Sequence, residues 1–591
     1  MNNLKKFPLH WMLFLGILLI TEFFVIRFEK QNYFALLIWF SLVGIYISSL
    51  RVRIILSYIF NLIDKQPIHF LITFQVLYLI WCAAVLFSNP YTYQIQHGDA
   101  VFFTQTLWNM THGLLPESSF FSTNGALFTG DPRLLSNSVG YVSIFTLHQY
   151  WLPLLLLTPI YALYPEPPTV LFALNFYVVT LGTAGVYWAS LNLGAKKGDA
   201  VLIAVLYVLI PQISISLFFK GYFDVLAFGV MPWLLGAILC RKRFASYFFA
   251  VLVSAISFPY TYFVCFCGVV AFLFLNSRLS GIMLLIIGFA MMKFDTLIFE
   301  QMTASYFSLG NIPPSFLKAY VLDRTIGSLI SPFKAILIYL LYLFLLVGFF
   351  PLYVIYRNRK CNLLVIGLLV LVCLASIISL FRSYGWEFQR NSILIIPVYL
   401  SAIIAYIELQ NDNFFSLSIK SLSKDRVNLT RVIFFSGLIS AMLCLTPYLS
   451  GPLASHLPWG SNGIITASLN TKKWQWTLDE FNRTVPRNAQ VAYLADPEVQ
   501  AYIFNRQHAW VIGGEPKGVR YYVLIGDSLS PADRLSWDLA IMALKKSNRY
   551  LLIFDGNPGK RLLIYENLDY QTIQRDDSKI GWPNWNDIFF R

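Results

Sequence analysis

The chain has 591 residues, of which 57% are hydrophobic, 17% aromatic and only 13% charged. A soluble domain carries about 25% charged residues, so a soluble globule, disorder, collagen and coiled coil are excluded and a polytopic membrane protein remains. The net charge of +14 does not argue for nucleic acid: residues 451–591 hold 16 bases and 14 acids, so the excess lies in the first 450 residues, where basic loops report topology.

Taken in chain order, Lys5 and Lys6 precede an apolar run to Ile26 without a small-residue cleavage site, which reads as an uncleaved anchor. A membrane helix needs about 20 apolar residues. Runs that qualify are 8–27, 33–50, 69–88, 169–190, 199–217, 224–240, 281–298, 334–354, 363–381, 391–408 and 432–449. Residues 245–275 are too long for one span, and Pro259 divides them into two short helices. The total is about thirteen crossings. Between the second and third spans, residues 54–63, flanked by Arg51, Arg53 and Lys65, read as an amphipathic surface helix.

The bases set the orientation. Lys5/Lys6, Arg51/Arg53/Lys65, Lys196/Lys197, Arg241–Arg243, Arg278, Arg357/Arg359/Lys360 and Lys420/Lys424/Arg426/Arg431 belong to cytoplasmic loops. Keeping Arg51 and Lys196 on one side requires an even number of crossings between them. Residues 150–163, short and containing Pro153 and Pro159, are therefore a re-entrant or interfacial helix. The N-terminus is then cytoplasmic, and loops 89–149 and 299–333, with everything after 450, lie outside. The acids Asp99, Glu117, Asp131, Glu166, Asp224, Glu300, Asp323 and Glu387 gather on that outer face.

The organisation expected is 1–88 as N-terminal membrane helices, 89–449 as the membrane core, and 450–591 as a small extracytoplasmic α/β domain. In the last, β-rich runs occupy Ala489–Leu494, Ala509–Ile512, Tyr521–Ile525, Tyr550–Phe554 and Arg561–Tyr565, and Asp533–Lys546 has helical spacing. None of the seven cysteines lies after residue 450, so this part has no disulfide framework.

Two carboxylates are the candidates for chemistry. Asp99 opens an amphipathic helix striped by Phe103, Leu107 and Met110; it is a helix cap, a catalytic carboxylate, or both. Asp224, beside Lys220, starts an apolar helix at the outer interface, where an ionisable side chain is costly and so points to function. His148, before Trp151, either binds substrate or anchors an aromatic belt. Arg382 and Arg390 flank Glu387 at one outer junction, as a local ion pair or as a phosphate clamp. There is no Walker loop, dinucleotide fingerprint or His-Glu metal pair, and Gly513–Gly518 reads as a turn.

In this order of features the chain resembles the GT-C superfamily of polytopic glycosyltransferases, which includes lipid A aminoarabinose transferases and protein mannosyltransferases. An acid opens the first outer loop (Asp99, with Gln105 and Trp108), a Pro-containing juxtamembrane stretch follows (His148–Tyr164), and a second acid stands at Asp224. Through Gly98–Asn109, His148–Pro168, Lys220–Pro232 and Val491–Trp510 it looks more closely like an uncharacterised bacterial and archaeal family of predicted membrane proteins related to GT-C. That family has His-Pro-Glu where this chain has Tyr222-Phe223-Asp224, and a Lys-Glu-Asp cluster that is missing near Ser257–Thr261.

The resemblance implies a GT-C-like, all-α membrane fold with the small outer α/β domain, in a bacterial or archaeal plasma membrane. It implies an inverting transfer of sugar from a polyprenyl-phosphate donor to a lipid, glycan or protein acceptor, among membrane lipids and without nucleic acid. Asp99 and Asp224 take the catalytic roles; Gln105, His148, Lys220, Arg382 and Arg390 bind substrate. No cofactor or metal is required, though the acid pair has the chemistry to accept a divalent cation. The rival reading is a transporter or lipid flippase of the cell envelope, against which stands the lack of an inverted repeat. A third is a non-catalytic assembly protein presenting 450–591.

Overall fold

The structure, a computed structural model, describes residues 49–87, 98–119, 151–306, 392–411 and 464–570, each with short gaps or none, and isolated positions within 42–46, 142–143 and 431–435. The expected spans 8–27, 334–354 and 363–381, and most of 33–50 and 432–449, lie outside the described residues, as do most of the loops 89–149 and 299–333.

Helix α1 (Leu50–Lys65) starts where Ser49 Oγ accepts from the Val52 N–H at 3.4 Å, and ends at Gln66, whose backbone leaves the helical region. Pro67 forces that break, since the residue before proline avoids the α conformation, and it opens α2 (Pro67–Phe87). Then come α3 (Gly98–Thr111), the two-residue strands β1 (Glu117–Ser118) and β2 (Val142–Ser143), and α4 (Trp151–Leu163). A continuous apolar rod follows: α5 (Pro167–Tyr177), a π-turn (Val178–Gly182) and α6 (Thr183–Leu193). Gly194, at φ +107°, caps it in the left-handed conformation that glycine adopts at low cost.

Helix α7 (Lys197–Val208) stops well short of the expected 217, because Pro211 bars the helix from continuing. A 3₁₀ turn (Phe223–Leu226) leads into α8 (Ala227–Leu239). The stretch around Pro259 is two helices, α9 (Arg243–Ser254) and α10 (Phe258–Leu273). Helix α11 (Arg278–Tyr306) runs past the expected end at 298, with no Gly or Pro between 298 and Gly310 to stop it. Helix α12 (Ser392–Asn411) completes the described helical body.

Among the described residues, two helices are long and apolar enough to cross a membrane by themselves, within 67–84 and 167–193, and shorter apolar helices surround them. Their outer faces are apolar and uncovered: Ile72, Val76 and Ile80 on α2, Phe244 and Phe248 on α9, Ile282, Ile286 and Phe289 on α11. These follow helical spacing, the pattern of a lipid-facing stripe rather than of scattered surface residues. Inside, helices meet at small residues. A Cβ on Gly182 would fall 2.9 Å from the Phe228 carbonyl, and Gly236 lies against Ala189. The π-turn frees backbone carbonyls that apolar surroundings cannot satisfy. Gln75 on α2 donates to Thr180 O and Thr183 Oγ1 (3.4 and 2.7 Å), and Trp233 Nε1 donates to Leu181 O (2.8 Å).

Past residue 464 the chain forms a mixed sheet between helices. Helix α13 (Ile464–Thr484) precedes β3 (Val491–Ala495), α14 (Pro497–Ile503), β4 (Ala509–Val511), β5 (Tyr521–Ile525), α15 (Pro531–Lys546), β6 (Tyr550–Asp555) and β7 (Leu562–Asn567). The strand order is β4-β3-β5-β7-β6, with β4, β3 and β5 parallel and β5, β7 and β6 antiparallel. The two-residue period divides the strands between two cores. Val491, Tyr493, Val523 and Ile525 join Leu478, Phe481 and Ile503 in the core that continues into the helical body; Ala492, Trp510, Tyr522 and Leu524 pack under Trp537 and Leu544 of α15.

Candidate active site

The amino end of this sheet is bolted to the helical body around α3 and α4. Tyr161 Oη donates to Asn505 Oδ1 at 2.6 Å, and Asn505 Nδ2 donates to Pro165 O (2.8 Å) and Glu166 Oε2 (3.0 Å). Arg487 Nη2 pairs with Glu166 Oε1 at 2.7 Å. Gln105 lies at the centre. Its Oε1 accepts from Ser118 Oγ (2.6 Å) and the Ser119 N–H (2.9 Å), its Nε2 donates to Arg506 O (3.2 Å), and Ser119 Oγ donates to Ala509 O.

The consequence for α3 is a correction of its surface-helix reading. Residues 101–107 are buried on every side, Thr104, Gln105 and Thr106 included, because Arg506, Ala509 and α14 cover the face that the sequence pattern leaves polar. The Gln105 amide is turned to the tail and holds it.

Helix α3 also meets the turn that carries the second acid. The rings of Phe103 and Phe223 stack with centroids 4.2 Å apart and planes 16° from parallel. Asp224 is the next residue, 1% exposed. The backbone of its turn is held from behind: Tyr260 Oη donates to Asp224 O at 3.1 Å and shares a 2.9 Å hydrogen bond with Ser392 Oγ of α12. Asp99 stands in the first turn of α3, four residues before Phe103. One helical turn is about 5.4 Å of rise, so the backbone at Asp99 is about one turn along α3 from the residue that stacks on Phe223.

His148, Lys220, Arg382 and Arg390 lie outside the described residues. The sequence reading missed Tyr260, Ser392, Asn505 and Arg506. Tyr260, Ser392 and Asn505 meet their partners across long stretches of chain, and no local pattern marks any of the four. Arg506 is the most unusual: 1% exposed, it donates from Nε to Ile503 O (3.0 Å) and from Nη1 to Pro486 O (3.2 Å), with its guanidinium 4.7 Å above the Phe481 ring. Burial, with the Arg487 charge nearby, pushes its pKa down to about 9. Among the described residues no group of three or more His, Cys, Asp or Glu comes together to hold a metal ion.

No family model matches the chain, and no curated protein matches it. Among solved structures, the chain is similar to an arabinofuranosyltransferase determined by single-particle cryo-EM. That protein is AftD from Mycobacteria, matched at 12% identity and a TM-score of 0.39 over 81% of this chain and 40% of that one. A mutant form of it matches at 13% identity and 0.41, over 79% and 41%. The chain spans about two fifths of the length of those structures. Neither likeness bears on which residues act here.

Proposed function

We propose that this chain is a membrane glycosyltransferase that moves a sugar from a polyprenyl-phosphate donor to an acceptor hydroxyl on the outer face. The observation that carries the reading is the Phe103–Phe223 stack, which ties the start of α3, with Asp99, to the turn bearing Asp224. In this reading the two acids, 125 positions apart in sequence, work together at the end of the helical body where that stack lies. The lack of any nucleotide-binding motif supports a lipid-linked donor.

In this mechanism the acceptor oxygen attacks the anomeric carbon from the face opposite the phosphate. Its proton passes to the Asp99 carboxylate as the new C–O bond forms and the bond to phosphate oxygen breaks. Such general-base help contributes about 10²–10⁴-fold. Asp224, buried in a turn fixed through Tyr260, orients the acceptor. The polyprenyl phosphate leaves as an anion, and Lys220, Arg382 and Arg390 offset its charge; His148 lines the approach. Gln105 contributes indirectly, by keeping the tail closed over α3.

The test is transfer by the purified chain from a polyprenyl-phosphate sugar, compared with a nucleotide sugar. Turnover with the lipid donor alone, reduced in Asp224→Asn, is the expected result. Turnover with the nucleotide sugar alone, or transport of intact lipid without sugar transfer, would overturn it.

A further inference from the structure

The end of the helical body where α1 meets α7 carries a second constellation, unconnected with sugar transfer. Arg431, 3% exposed, reaches Asp64 at the end of α1 with two parallel bonds (Nη1–Oδ2 3.1 Å, Nη2–Oδ1 3.0 Å) and Asp199 at the start of α7 with its Nε (2.5 Å). The guanidinium also lies 5.3 Å over the Phe60 ring. A Cβ on Gly198 would strike the Asp64 carboxylate, so α7 begins directly against α1. Helix α1 is thus pinned, with Phe60 and Ile63 turned inward.

Pinning fixes what the opposite face presents. Leu50, Ile54, Tyr58 and Leu62, spaced four apart, form one stripe, each more than half exposed. Ile55 and Ile59 flank it, and the exposed apolar residues of α2 (Ile68, Ile72, Val76) continue it past Gln66. Asp64 is the only acid of α1 and is neutralised by Arg431, so Arg51, Arg53 and Lys65 leave the helix basic. Among the described residues, the buried Nε of Arg53 has no hydrogen-bond acceptor. A donor left this way is costly, and an anionic oxygen is the group that satisfies a guanidinium best.

We propose that α1 lies in the headgroup layer of the leaflet on the Lys196/Lys197 side and binds anionic phospholipid. The Leu50–Ile54–Tyr58–Leu62 stripe enters the acyl boundary, and Arg51, Arg53 and Lys65 take the lipid phosphates. An apolar stripe continuous with a lipid-facing helix fits a bilayer. A second copy is disfavoured because two basic helices of the same charge would repel.

The experiment is hydrogen exchange of the full chain in bilayers of phosphatidylcholine, with and without phosphatidylglycerol. Phosphatidylglycerol should slow exchange in the α1 peptides and leave α8 unchanged. In R51Q/R53Q/K65Q the phosphatidylglycerol effect should vanish, each base being worth about fivefold in affinity for an anionic surface. A Tyr58→Gln chain should lose part of the protection in both bilayers, which shows that the stripe is embedded. Equal α1 protection in the two bilayers overturns the proposal. So does protection restored by inorganic phosphate in pure phosphatidylcholine, or protection that follows protein density rather than lipid charge.

Discussion

Replacing Gln105 by Leu keeps the apolar stem of the side chain and removes the amide that joins α3 to the tail. Left behind in a fully buried joint are the Ser118 hydroxyl, the Ser119 N–H and the Arg506 carbonyl, previously bonded at 2.6, 2.9 and 3.2 Å. At about 1–3 kcal/mol for each buried polar group without a partner, and with some relaxation, the joint weakens by about 3–5 kcal/mol. The fraction of molecules with the tail lifted then rises by roughly 10²–10⁴-fold, at about 1.4 kcal/mol per tenfold. Trypsin reads this directly, because its target Arg506 is 1% exposed and lies in the joint. Cleavage that requires opening tracks the open population when reclosing is fast. Cutting after Arg506 should accelerate by about two orders of magnitude or more, with cleavage at the exposed Arg549 as internal reference. Equal rates in wild type and Gln105→Leu would refute the claim that Gln105 holds the tail.

Three further outcomes follow from the same contacts. Tyr161→Phe removes one 2.6 Å bond to Asn505 and should cost about 1 kcal/mol, seen as a smaller rise in the same cleavage. Arg431→Leu leaves the fully buried Asp199 without its cation and should destabilise the helical body by about 3–5 kcal/mol in a detergent melt. For Arg506 the folded pKa of about 9 lies below the usual arginine value, so the unfolded chain binds the extra proton and the penalty is present below that pKa. Denaturant melts should show tail stability, measured relative to Arg506→Met, rising as the pH climbs past about 9; a flat difference would contradict the burial argument.

What was legible in the sequence was whatever local chemistry decides. Pro259 divides two helices, Pro67 separates α1 from α2, and the short β-rich runs at Ala489–Leu494 and Tyr521–Ile525 give strands. Asp224 stood out because a carboxylate in apolar surroundings is conspicuous. The misreadings share another cause. Helix α3 looked half-exposed since its cover, which includes Arg506 and Ala509, comes from about 400 positions away. Asp64 and Asp199 drew no attention because Arg431, which makes sense of both, belongs to a third segment. Burial and pairing across such distances leave no periodicity to read.

The central claim is that Asp99 removes the acceptor proton, and Asp99→Asn tests it most directly. Asp99 stands in the first turn of α3, where Asn keeps the size of the side chain and loses at most about 1 kcal/mol of interaction with the helix dipole, so the variant should accumulate and hold its tail closed, with trypsin cutting after Arg506 as slowly as in wild type. Measured on the purified chain with a polyprenyl-phosphate sugar at saturating acceptor, transfer should fall on the order of 10²-fold or more, while Asp412→Asn, an acid outside the proposed site, leaves the rate unchanged. Wild-type transfer by the Asp99→Asn protein would contradict the account.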